Sequence, residues 1–124
     1  MLCLATTATK VMLVTASFTL SWIHSVEKIQ WREHYQLDGH ELLLTEARVQ
    51  GSGAGMEPPP EARLHQGVWY WQPDIRLPQI SLADSEFTAD YTLCLDSDLC
   101  RPLSHWVPAG QGVSLSACTT TEVN

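Results

Sequence analysis

Hydrophobic and polar residues alternate with a period of two along most of the chain. Phe18, Leu20, Trp22 and His24 share one face of a stretch whose other face carries Ser17, Thr19, Ser21 and Ile23. A period of two puts successive side chains on opposite faces of a pleated strand. The pattern therefore predicts a half-buried strand with an aromatic inner face. Leu2 to Ala5 and Val11 to Val14 read as two shorter strands around a Thr-rich turn. Gly67 to Trp71, Tyr91 to Leu95, Cys100 to Leu103 and Val113 to Ala117 add further short strands. Pro73 and Pro78 interrupt the stretch between, so any strand there belongs at a sheet edge. No stretch carries a convincing amphipathic-helix period. The expected fold is all-β: a small antiparallel β-sandwich or partly open barrel of about seven to nine short strands.

Asp38-Gly39 sits between two alternating runs, and both residue types tolerate positive φ. Read as a two-residue hairpin turn, the pair predicts that Leu37 faces His40, Tyr35 faces Leu42, Glu33 faces Leu44 and Trp31 faces Glu46. One face then carries Ile29, Trp31, Glu33, Tyr35 and Leu37, with Leu42, Leu44, Glu46 and Arg48. This is the expected core side, and it holds two glutamates and an arginine among aromatic and aliphatic residues. With His24 at the inner end of the preceding strand, the register predicts that His24, Glu33, Glu46 and Arg48 share a pocket. Three chemistries fit such a group. Arg48 can clamp the carboxylates in a structural ion-pair network, since buried charges need partners. The group can bind a small polar ligand or a partner segment. Or His24 and the two glutamates can bind a metal or perform acid–base catalysis. Ser25 adjoins His24 but points to the other face, so no Ser–His pair follows.

Residues 51–60 break the alternation: Gly51, Gly53 and Gly55 loosen the backbone, and Pro58, Pro59 and Pro60 remove donors. This is a loop inside one domain covering 1–118, with 119–124 as a flexible tail. The loop lacks the Lys-Ser/Thr ending of a phosphate loop and leads into prolines rather than a helix. Its glycines allow close packing over the hairpin end with Met56 as a plug, or a ligand cradle. Trp69 and Trp71 share a face, as a core stripe or as a stacking platform. His34, His40, His65 and His105 are isolated, and no pair has metal-ligand spacing.

A length of 124 residues suits one domain with a real core. The formal net charge is −7, with only seven Lys and Arg, so the chain is repelled by nucleic-acid backbones and anionic lipid. Lys10 followed by Val11-Met12-Leu13-Val14 imitates a signal peptide, but Thr15, Ser17, Thr19 and Ser21 break the apolar run. A signal core needs about 7–15 apolar residues and a membrane helix about 20. The expectation from the residues alone is a cytoplasmic location without membrane insertion. Cys94 and Cys100 can lie opposite each other across a hairpin, where a disulfide would fit. Without a secretion signal, ordinary reduced thiols are the default. No C-x-x-C spacing exists, and no cofactor motif is present.

The blocks Phe18-Thr19-Leu20-Ser21-Trp22-Ile23-His24-Ser25-Val26-Glu27 and Gly53-Ala54-Gly55-Met56 before Pro58, with Glu33 and Tyr35 between, resemble one family. It is a bacterial domain family of unknown function, often encoded beside TRAP transporters of the TAXI type. Those transporters import small organic acids or amino acids with an extracytoplasmic solute-binding protein. The resemblance covers roughly residues 2 to 104. It implies that His24, Ser25, Val26, Glu33, Tyr35, Gly53, Ala54, Gly55 and Met56 carry the shared motif. It further implies a non-enzymatic accessory protein whose partner is a permease, a solute-binding protein or a small polar solute. Some relatives carry an N-terminal signal or anchor, which would place the domain outside the cytoplasm. The alternative is a small metal-binding or hydrolytic enzyme domain using His24, Glu33 and Glu46.

Overall fold

A computed structural model describes residues 1–23, 29–50, 59–82, 91–108 and 112–119. Among these residues the chain forms twelve strands: β1 (Leu2–Ala5), β2 (Lys10–Leu13), β3 (Ser17–Ile23), β4 (Gln30–Asp38), β5 (Glu41–Gln50), β6 (Arg63–His65), β7 (Val68–Trp71), β8 (Ile75–Leu77), β9 (Ile80–Leu82), β10 (Thr92–Leu95), β11 (Cys100–Pro102) and β12 (Val113–Ala117). One 3-10 turn spans Leu103–His105. The fold is all-β with antiparallel pairing, and the sheets stay open rather than closing into a barrel. The strands in excess of expectation include β6, β8 and β9, three residues each, too short to show a period.

The small sheet has the order β2-β1-β12-β9. The large sheet runs β11-β10-β3-β4-β5-β7-β6, with β8 also paired to β5. Alternation decides what lies between them. Leu2, Leu4, Val113, Leu115 and Ala117 of the small sheet join Phe18, Leu20, Tyr35, Leu42, Leu44 and Leu93 of the large sheet in one core cluster. Each fully buried Leu or Phe contributes roughly 1.5–3 kcal/mol by leaving water. The opposite face of the large sheet has no sheet packed on it among the described residues.

Two disulfides replace the expected thiols. Cys3 is bonded to Cys118, 115 positions away, and Cys94 to Cys100, six positions away. Cys94 and Cys100 are directly opposed on β10 and β11, joined by a tight turn in which Asp98 adopts φ of 66°. That turn is tied to the start of β3. Asp96 accepts from the Ala16 amide at 2.9 Å, and its own amide donates to the Thr15 hydroxyl at 3.1 Å.

The β4–β5 hairpin departs from the expected register in two ways. First, Asp38 pairs with Glu41, so the two-residue loop is Gly39-His40. Positive φ occurs at Gly39 (63°) and not at His40, which is the type II′ requirement of glycine in the first loop position. Leu37 therefore faces Leu42, and Tyr35 faces Leu44. A shift of two partners leaves these residues on the same face. Second, the pairing shifts again between His34 and Tyr35, and Thr45 is the extra residue on β5. The Thr45 hydroxyl donates to the His34 carbonyl at 3.2 Å, anchoring this bulge. Beyond it His34 faces Glu46, Glu33 faces Ala47, Arg32 faces Arg48 and Trp31 faces Val49. One extra residue reverses the facing of everything that follows. Ala47 and Val49 enter the core, and Glu46 and Arg48 turn outward.

Candidate functional site

The bulge separates the residues expected to share a pocket. Glu33 stays on the inner face, in a cross-strand row with Leu20 and Ala47. Tyr35, two residues along the same face, donates its hydroxyl to Glu33 Oε1 at 2.9 Å. The Tyr35 ring stacks on Phe18 with centroids 5.1 Å apart, which fixes the hydroxyl's direction. Burial pushes the Glu33 carboxyl above its ordinary range, and the bond from Tyr35 opposes part of that rise. The Tyr35 hydroxyl is held protonated by its own burial and by the neighbouring carboxylate. This pair is a satisfied polar contact at the edge of the core, with no arginine in it.

Glu46 and Arg48 occupy the outer face, where Arg48 Nε donates to Glu46 Oε1 in a half-exposed ion pair. Around them the topology builds a face that the alternation alone does not reveal. Ser21, Arg32, Arg48, Tyr70 and Arg63 are directly opposite one another in turn on β3, β4, β5, β7 and β6. Three of the seven cations of the chain thus stand in one row across the sheet. The next row carries Cys100, Cys94, Thr19, His34 and Glu46. In it the Thr19 hydroxyl lies 2.9 Å from His34 Nδ1. A groove of about 440 Å³ runs between these rows, with the Cys94–Cys100 bridge and Asp98 at one end. A smaller recess of about 150 Å³ lies on the other side of the arginine row, lined by Gln30, Arg32, Arg48, Gln50 and Val68.

Of the residues singled out from the sequence, the structure brings Glu33 together with Tyr35 and, separately, Glu46 together with Arg48. It does not bring the two pairs together. His24, Ser25, Gly53, Gly55 and Met56 lie outside the described residues. Glu33 and Glu46 on opposite faces cannot act as one carboxylate pair, which removes the proposed joint use of both by a metal or a hydrolytic centre. Among the described residues no three His, Cys, Asp or Glu side chains gather as a metal site would need. Thr19, Ser21, Arg32 and His34 fall on the polar side of the period-two alternation and so do not stand out as site residues from the sequence. The signal that would have promoted them is the phase of β5: apolar residues fall on even numbers at Leu42 and Leu44 and on odd numbers at Ala47 and Val49. The Trp22–Trp31 stack, with centroids 6.0 Å apart, lies on the face opposite the arginines. Trp69 faces Val49 and Leu64, continuing that row.

No described helix is long and apolar enough to cross a membrane. Comparison with curated proteins and with solved structures finds no match. A match to a protein family does emerge, spanning residues 18–103 and thus β3 through the start of the 3-10 turn. The matched segment includes both rows of the outer face, the Thr45 bulge and the Glu33–Tyr35 contact. The chain belongs to the family described as domain of unknown function DUF1850.

Proposed function

We propose that the protein is a non-enzymatic accessory component of a TRAP-type (TAXI) solute transport system, working outside the cytoplasm on a solute or on a transporter component. The observation that carries this reading is the pairing of the His24-Ser25-Val26 and Gly53-Ala54-Gly55-Met56 blocks, which resemble the family encoded beside such transporters. Two disulfides with no free cysteine favour an oxidising compartment, because reducing thiol pools keep most cytoplasmic cysteines unpaired. A polar sheet face with no sheet packed on it among the described residues gives such a protein a surface for contact. The rival enzyme reading loses its joint use of Glu33 and Glu46 for the geometric reason given above. The test is deletion of the gene followed by measurement of solute uptake and of permease assembly. Reduced uptake or incomplete assembly, restored by the intact gene, is the expected result. Unchanged uptake and assembly would remove the transport role.

A further inference from the structure

We propose that Arg32 and Arg48 form a binding site for a small oxyanion, the carboxylate or phosphate group of a small solute. The argument starts from the register. Directly opposite residues on an antiparallel pair have Cβ atoms about 5 Å apart, and like charges there repel. Arg32 and Arg48 hold such positions because the Thr45 bulge aligns them. Among the described residues no carboxylate neutralises both. Arg32 has no ion-pair partner among the described residues. Arg48 is engaged by Glu46 through Nε alone, so its two terminal amino groups have no partner among the described residues.

The recess that both arginines line points the same way. It holds about 150 Å³, enough for a carboxylate or phosphate group with a short carbon stub. Its lining is Gln30, Arg32, Arg48, Gln50 and Val68. Acidic residues outnumber basic ones by fourteen to seven in the chain, yet among the described residues no carboxylate lines this recess. Two guanidinium forks present parallel N–H donors that match the paired oxygens of a carboxylate or phosphate. The carboxamides of Gln30 and Gln50 supply neutral donors at the rim, and Val68 gives an apolar wall for a carbon chain. Because both arginines are solvated in the free protein, their mutual repulsion is modest. A bound anion would convert it into attraction on both sides. The proposal does not depend on the transport role and would survive its failure.

The test is isothermal titration of the purified, disulfide-bonded protein with succinate and, separately, with inorganic phosphate at constant ionic strength in chloride. Saturable binding of at least one is expected, weakened at least tenfold by Arg32→Gln and by Arg48→Gln. Arg76→Gln should leave it unchanged, because Arg76 sits near the hairpin turn with Asp38 and Glu41. The stronger of the two ligands identifies the oxyanion as carboxylate or phosphate. A second readout separates binding from folding. Without anion, Arg32→Gln should melt no lower than the parent, since one of two opposed charges is gone. Succinate or phosphate should raise the melting temperature of the parent and not that of the variant. Should either glutamine variant fold poorly, Arg32→Lys keeps the charge, loses the fork and should still weaken binding. Absence of saturable binding by both anions, or binding indifferent to Arg32 and Arg48, overturns the proposal.

Discussion

Arg32 and Glu33 are neighbours on β4, yet their charges meet opposite circumstances on the two faces of the large sheet. Inside, one carboxyl group is partly desolvated and is answered by one hydroxyl, held in place by the Phe18–Tyr35 stack. Outside, three arginines stand in a cross-strand row, and among the described residues the Arg32–Arg48 pair is neutralised only in part, by Glu46. The difference lies in the dielectric each face offers. Water screens the repulsion between the outer arginines, so leaving them underpaired costs little folding energy. The inner carboxyl is screened less, which favours a hydrogen bond or a retained proton. A charge that is inexpensive to leave unpaired is also one that remains available to a ligand.

The contrast is broken most severely by placing a charge where the bulge has put an apolar side chain. Val49 is fully buried, so Val49→Asp should destabilise by about 3–5 kcal/mol in a denaturant melt. Gln50→Asp, one residue away on the outer face, should stay within about 0.5 kcal/mol. Equal effects would mean that β5 does not reverse its facing at Thr45.

Next in size is the inner hydrogen bond. Tyr35→Phe leaves a partly buried carboxylate without its donor and should lower stability at pH 7 by about 1–3 kcal/mol. It should also move the Glu33 carboxyl further up, visible in its side-chain NMR titration, because the opposing hydrogen bond is gone. A neutral effect on both stability and titration would place the Glu33 carboxylate in bulk water.

The smallest expected effect tests the sign of the inner charge. A carboxyl raised above its ordinary 4.5 in the folded state keeps a proton that the unfolded chain has already lost. Stability from this group is therefore present at low pH and falls as pH rises through the raised value. Glu33→Gln keeps an acceptor for Tyr35 and removes that fall. At pH 7 the variant should gain stability, by no more than about 1 kcal/mol, and the gain should vanish in acid. A loss at pH 7 would show that the carboxylate is favourably paired.

The strand content was legible from the alternation, most clearly at β3 and β12, where several alternate residues are apolar and their neighbours polar. The inner half of the hairpin was legible too, because a two-partner shift preserves facing and leaves Tyr35, Leu37, Leu42 and Leu44 on one side. The outer half was not. Leu43, on the outer face, fills the gap between Leu42 and Leu44, and Ala47 is too small to announce a change of phase, so the bulge is nearly silent. Asp38-Gly39 was a true turn signal placed one residue early, since glycine suits either loop position and only the backbone angles decide. The arginine row could not be read from spacing, because its members come from separate strands and meet only through strand order. Cys3 and Cys118 pair for the same reason: β1 and β12 are neighbours in the small sheet although they lie at opposite ends of the sequence.

The most direct test of the reversed facing is the set of cross-strand proton–proton contacts in an NMR spectrum of the folded protein. Contacts of Arg32 with Arg48 and of Trp31 with Val49 are predicted, with Leu37 against Leu42 on the near side of the bulge. Contacts of Trp31 with Glu46 and of Glu33 with Leu44 would instead return both glutamates and Arg48 to one face, and would contradict the account.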